Sequence, residues 1–397
     1  MKKVTVIGVG TGAETLTPEA REAITKTEVL FGSPGLLEIH KDDSKATYPN
    51  YLPDEVAGII ESEQAKSFAV LVSGDVGFYS AAAGLGKVLC GYELSFIPGI
   101  STVNAFFAKL RLSWHGAAFV SMHGRDTNIV DVVRRNELTF CLTGNNVKEI
   151  GTALTKAGLG HIKTFIGENL GLNDERIYET DAEKIKNGEY PSLTVLLFKN
   201  EAYEDRVRFG LPDSLFSRTT GIPMTKSETR AVVTSKLELR PSDICWDIGA
   251  GTGSITVEMA LAAYRGYVYA VERNAEAKEL IEKNITAFHL GNVSVIIGKA
   301  PAVLEALPAP DVVFIGGSSG QIEEIMTAAL IKNPGARIVI TAVTLETVSA
   351  VVNALNKTGS EFETVQLNVA KSRKAGELHM MEAQNPVTIF TIMDGGA

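Results

Sequence analysis

Cysteine, tryptophan and histidine are scarce in this chain, whose 397 residues hold three Cys, two Trp and six His. Cys90, Cys141 and Cys245 have no ligand-like spacing, and two of them lie in apolar runs, where a thiol packs as a small hydrophobe. His40, His115, His161, His289 and His379 are scattered without metal spacing and receive no role. No metal centre is expected. Basic clusters are also lacking. The net charge is −9, both halves are mildly acidic, and no group of Lys and Arg exceeds a few residues. That balance argues against a nucleic-acid partner, which needs a concentrated basic surface, while a local basic pocket for a small polyanion stays open. Long uncharged apolar runs are absent, so no membrane span is expected. Met1-Lys2-Lys3 leads into a strand without the apolar core and cleavage site of a signal peptide. A cytoplasmic location follows as an expectation.

What is present is ample core material, 45% hydrophobic against 21% charged, in a chain long enough for two domains. Up to about residue 200, β-like segments at 4–9, 68–73, 94–97, 118–121, 138–142, 164–168 and 194–198 alternate with helical ones such as 18–25. The stretch 201–223 changes character, with mixed charge, aperiodic aromatics and Gly-Pro punctuation. The expected division is a first domain over 1–203, a linker over 204–220 and a second domain over 221–397. A helix is predicted at 227–237, capped by Thr225 or Ser227. Five strand and helix alternations then centre on 244–248, 268–272, 293–297, 311–315 and 337–341. Two β-rich segments, 363–370 and 385–392, with no helix between them, close the chain as an antiparallel pair.

Two glycine loops leave predicted strands. In Asp247-Ile248-Gly249-Ala250-Gly251-Thr252-Gly253-Ser254 the glycines allow a sharp turn and close approach of backbone to a ligand, and the next helix offers its N-terminal amides. Glu272 ends the following strand, placed to accept bonds from two ribose hydroxyls. The acidic opening at Asp247, the spacing of the loop and the terminal strand pair favour S-adenosylmethionine; a nicotinamide nucleotide is the alternative. The other loop is Gly8-Val9-Gly10-Thr11-Gly12, accompanied by Ser73-Gly74-Asp75-Val76 and Pro98-Gly99-Ile100-Ser101-Thr102. Three such turns at strand ends make a cleft where ligands bind.

Gly221-Ile222-Pro223-Met224-Thr225-Lys226-Ser227-Glu228-Thr229-Arg230, the 247–254 loop, Gly298-Lys299-Ala300-Pro301 and Phe314-Ile315-Gly316-Gly317 together resemble the decarboxylating precorrin methyltransferases of cobalamin biosynthesis. That resemblance covers nearly all of 205–395 and implies a Rossmann-like class I methyltransferase fold. It implies that Thr225, Asp247, Gly249, Ala250, Gly251, Thr252, Gly253, Glu272 and Ala300 contact the cofactor. Lys299 stands where many such enzymes carry an acidic residue for adenine. The first half resembles the tetrapyrrole methylase family, a two-lobed α/β fold. Ser121-Met122-His123-Gly124-Arg125 and Gly167-Glu168-Asn169-Leu170-Gly171 point to its precorrin carbon-5 methylating branch. Its implied cofactor contacts are Gly8, Gly10, Gly12, Gly74, Asp75, Val76, Ser101 and Thr102, with Thr11 and Val76 where the family usually has proline.

The joint resemblance implies methylation of a precorrin at carbons 5 and 15 with decarboxylation of the carbon-12 acetate, one S-adenosylmethionine per domain, and homo-oligomeric assembly. His123, Arg125, Lys226, Arg230, Arg373 and Lys374 are the candidates for holding substrate carboxylates. No general base can be named. The anaerobic cobalt-precorrin counterpart, an RNA or protein methyltransferase, and a non-catalytic S-adenosylmethionine-binding protein remain as alternatives.

Overall fold

The computed structural model describes residues 1–122, 127–205, 209–318 and 320–392. Two compact units divide the chain: one comprises residues 1–126, 137–149 and 162–201, the other 127–136, 150–161 and 202–397.

The first unit contains two five-stranded sheets. One is built from β1 (Lys3–Gly8), β2 (Val29–Phe31), β3 (Ala46–Tyr48), β4 (Ser67–Val72) and β5 (Glu93–Ile97), in the order β3-β2-β4-β1-β5. All its pairings are parallel. A parallel sheet needs cover on both faces, and the side chains divide accordingly: Val4, Val6, Phe68 and Val70 pack into one core, Ile7, Ala69 and Leu71 into another. The other sheet holds β6 (Ala118–Ser121), β7 (Leu138–Leu142), β8 (Lys163–Glu168), β9 (Arg176–Asp181) and β10 (Thr194–Lys199), in the order β6-β7-β10-β8-β9. Only its β6-β7 pair is parallel; the others are antiparallel.

The second unit is organised by one seven-stranded sheet. Its strands begin with β11 (Ile244–Ile248), β12 (Tyr267–Glu272), β13 (Val293–Ile297), β14 (Val312–Ile315) and β15 (Arg337–Ala342). They continue with β16 (Phe362–Leu367), then β17 (Ala370–Ala375) and β18 (Leu378–Ala383), and end with β19 (Val387–Ile392). The order β13-β12-β11-β14-β15-β19-β16 is parallel through β15, and β19 is antiparallel to both of its neighbours. Trp246, Ile248, Val313 and Ile338 face one core while Cys245, Val312, Phe314 and Val339 face the other. The strand order reverses between β11 and β14, and such a reversal opens a crevice at the carboxyl ends of the strands.

Three features differ from the sequence expectations. The hairpin β17-β18 forms a separate two-stranded sheet inside the terminal pair, with Leu378, Met380 and Met381 exposed. The connection from β13 to β14 is turns rather than a helix, because Pro301, Pro308 and Pro310 interrupt it and Leu304 and Leu307 close only four-residue turns. The helix Ser227–Leu237 forms where expected, but its N-cap is Lys226 and no side chain caps it; the Ser227 hydroxyl instead accepts from Lys371 at 3.3 Å. Cys141 and Cys245 are buried and Cys90 is exposed. Among the described residues, no helix is long and apolar enough to cross a membrane.

Candidate functional site

A cavity of about 290 Å³ lies at the crevice of the seven-stranded sheet. Gly249, Gly251 and Glu272 line it, together with Gly316, Gly317 and Ser318 after β14. The glycine loop has a strict steric need for its residue type. Gly249, Gly251 and Gly253 have φ of 79°, 56° and 76°, a region that side chains rarely enter. A Cβ on Gly249 would stand 2.7 Å from the Gly317 nitrogen, and one on Gly251 2.6 Å from the Pro223 carbonyl oxygen. The Glu272 carboxylate accepts the Gly251 amide and the Asn274 amide, both at 2.9 Å, and so sets a negative charge beside the loop.

Asp247 is fully buried in β11 and does not line the cavity. Its Oδ2 accepts from the Thr256 hydroxyl, and its Oδ1 is buried without a hydrogen-bond partner. Burial pushes its carboxyl up to about 7, the Thr256 bond opposes this, and the Glu272 charge adds to it. Ala300 lines the cavity, whereas Ala250, Thr252 and Thr225 do not. Thr252 is held from behind: Asn284 donates to its carbonyl at 2.8 Å and also to the Ser217 carbonyl at 3.1 Å. Sequence reasoning passed over Ile222, Pro223, Arg273 and Asn274 as lining residues, while Lys299, read at the adenine position, does line the cavity. The available signal was position, since Arg273, Asn274 and Lys299 follow the ends of β12 and β13.

Arg230 requires a correction. It is fully buried, so it cannot grip a substrate at the surface. Its Nε donates to Glu258 at 2.7 Å and its Nη1 to Asp213 at 3.0 Å, with further bonds to the Thr225 and Leu211 carbonyls. The same Glu258 accepts the amides of Gly210 and Leu211. Leu211 and Phe216, inside the segment expected to be a linker, are buried in the core of the second unit. Lys226 is half-buried at the helix start and outside the cavity. Arg373 pairs with Glu382 at 3.1 Å on the exposed hairpin, where Lys374 lies opposite His379. Neither basic residue lines the cavity beside Glu272.

The first unit encloses a cavity of about 430 Å³. Gly10, Gly12, Gly74 and Thr102 line it. Glycines from three loops meet at the ends of β1, β4 and β5. A Cβ on Gly8 would stand 2.7 Å from the Gly99 nitrogen, and one on Gly99 2.2 Å from the Gly74 carbonyl oxygen. Gly10 and Gly74 exchange backbone bonds of 3.1 and 2.8 Å. Asp75 is a clamp on these loops rather than a wall, accepting the amides of Gly77 at 2.8 Å and Gly99 at 3.1 Å. Ser101 caps the helix Thr102–Leu110 through the Asn104 amide. Val76 faces a different, shallower hollow with Phe78 and Phe96. The Thr11 hydroxyl is buried without a partner. The far wall comes from the other sheet of the same unit, at Leu142, Thr143, Leu170, Leu172 and residues 192–195. Ser33, Leu36 and His40 complete the near side. His123 and Arg125 lie outside the described residues.

Comparison with known proteins matches both units. A family model described as precorrin methyltransferase domain fits residues 216–394, and one described as tetrapyrrole (corrin/porphyrin) methylases fits residues 3–186. A precorrin-6Y C(5,15)-methyltransferase [decarboxylating] from Sinorhizobium is 29% identical over 99% of this chain and 96% of its own length. A probable cobalt-precorrin-6B C(15)-methyltransferase (decarboxylating) from Pyrobaculum calidifontis is 42% identical over 46% of this chain and 94% of its own length. A crystal structure of a precorrin-6y C5,15-methyltransferase from Geobacter metallireducens is 39% identical, covering 46% of this chain and 96% of that one, with a TM-score of 0.44. The two family models meet in one chain in the same order as the two glycine loops, and the chain belongs to the family of decarboxylating precorrin methyltransferases.

Proposed function

We propose that the chain methylates one reduced tetrapyrrole twice, the N-terminal half at carbon 5 and the C-terminal half at carbon 15, with loss of carbon dioxide from the carbon-12 acetate. The observation that carries this reading is the presence of a separate glycine-walled cavity at strand carboxyl ends in each unit. One S-adenosylmethionine per cavity, supplying an electrophilic methyl, fits those walls. In the C-terminal cavity Glu272 can accept ribose hydroxyls while the loop glycines admit the backbone close to the ligand. In the N-terminal cavity the amides and hydroxyls of residues 10–12, 73, 102 and 143 take the corresponding part. Transfer of an activated methyl asks mainly for alignment, which closely fitted glycine walls provide. Decarboxylation needs an electron acceptor, which the conjugated macrocycle provides. A precorrin-level substrate, a cytoplasmic site of action, domain boundaries near residues 203 and 221, and homo-oligomeric assembly complete the reading; the acidic charge balance supports the absence of a nucleic-acid partner.

Incubation with a precorrin-6-level tetrapyrrole and methyl-labelled S-adenosylmethionine tests it. Two labelled methyls incorporated and one carbon dioxide released per substrate are expected. A single methyl, or binding without turnover, would overturn the two-reaction reading.

A further inference from the structure

The N-terminal cavity has one chemically distinct wall residue. Among the described residues, those that line it are glycines, hydroxyl-bearing residues and aliphatic residues, with a single titratable side chain, His40. It ends the helix Pro34–Ile39, where its amide donates to the Leu36 carbonyl at 3.1 Å, and its ring is half-buried. Ring burial, aided by the guanidinium of Arg21 on the helix Pro18–Lys26, holds its pKa below the ordinary 6.5. The ring is therefore neutral near pH 7 and keeps a free lone pair. The loop that follows balances its own charges, Lys41 with Asp43 at 3.4 Å and Lys45 with Asp42 at 3.7 Å.

Carbon methylation in such a cavity creates a need for a base. The methyl arrives as a cation equivalent, the leaving sulfur keeps the electron pair of the broken bond, and the new carbon–carbon bond uses the enamine pair of the macrocycle. The ring system is left with one extra positive charge on an iminium nitrogen. Breaking one N–H or C–H bond returns its electron pair to the macrocycle and releases a proton. We propose that His40 accepts this proton, an assignment that rests on the carbon-5 reading above. The partly exposed ring then passes the proton to solvent and is ready for the next turnover.

The test uses the full chain and H40Q, which keeps a polar side chain without a titrating ring. Methylation at carbons 5 and 15 is followed separately by carbon-13 NMR of the transferred methyls. In the unmodified chain the carbon-5 rate should fall as pH drops through the His40 pKa, below 6.5. H40Q should slow that step about 100-fold and abolish its acid limb. Carbon-15 methylation and carbon dioxide release should stay unchanged, and S-adenosylhomocysteine should still bind at the C-terminal site. Without turnover, the His40 ring signal, recognised among the six histidines by its loss in H40Q, should shift when S-adenosylhomocysteine and a carbon-5-methylated tetrapyrrole are added. An H40Q carbon-5 rate equal to the unmodified one at saturating S-adenosylmethionine, or a retained acid limb, overturns the assignment. An unmodified chain that places no methyl on carbon 5 overturns the carbon-5 reading together with it.

Discussion

The C-terminal cavity is built around one glycine loop whose three glycines adopt positive φ, adds Gly298, Gly316 and Gly317 from the turns after β13 and β14, and carries the carboxylate of Glu272 on its wall. The N-terminal cavity takes its glycines from separate loops locked backbone to backbone, and none of its lining residues among those described is acidic. One half can meet a ribose with charge, whereas the other must rely on backbone amides and hydroxyls. Proteins arrive at a cavity of similar purpose by different wall chemistry, and the two halves should therefore respond to different substitutions.

The largest separation is expected from the glycines. G251A puts a methyl 2.6 Å from the Pro223 carbonyl, and G99A puts one 2.2 Å from the Gly74 carbonyl. Strain of this kind, about 3 kcal/mol, corresponds to a loss on the order of 100-fold in S-adenosylhomocysteine affinity. Calorimetry should show one of two sites lost in each variant, with G251A sparing carbon-5 methylation and G99A sparing carbon-15 methylation and decarboxylation. A variant that disables both halves breaks the comparison. An intermediate effect is expected from E272Q, which keeps the side chain's shape and removes its charge. The C-terminal site should weaken by roughly 10-fold, the scale of a charge-assisted bond reduced to a neutral one, and the N-terminal site should not change.

The smallest effect concerns Asp247, whose carboxyl is raised to about 7. A native pKa above the unfolded value means that the folded state binds the proton more tightly. Stability is then greatest at low pH within this range and declines as pH rises from about 4 towards 7. The unfolding midpoint of the C-terminal half should drift down as pH rises across that window, and D247N should flatten the drift. A midpoint that rises with pH, and does so because of Asp247, would contradict the buried, half-unpaired carboxyl.

Much of this was legible where a physical rule acts over a few residues. The short apolar run of Val4, Val6 and Ile7 announced a buried strand, and the three glycines before Ser254 announced a turn that only glycine can make. Three-residue strands such as β2 and β3 are too short for any period to register, and β17 and β18 bury no face whose alternation could signal a strand. Arg230 misled because its fate depends on Glu258, a full strand and loop later in the chain. A buried arginine differs from a substrate-gripping one only in which partners the fold brings to it. The far wall of the N-terminal cavity was invisible for the same reason: Leu142, Leu170 and residues 192–195 lie far from the first glycine loop in sequence.

The placement of β19 has a consequence for how the molecule is made. This strand lies between β15 and β16 in its sheet, yet it follows every other strand of that sheet in the sequence. During synthesis the first unit's strands all leave the ribosome before β19 exists. The first unit can therefore close its sheets while the second waits with an open slot beside β15. Until residues 387–392 emerge, the edges of β15 and β16 stand unpaired, and for that interval the nascent C-terminal half is the part most exposed to edge-to-edge association.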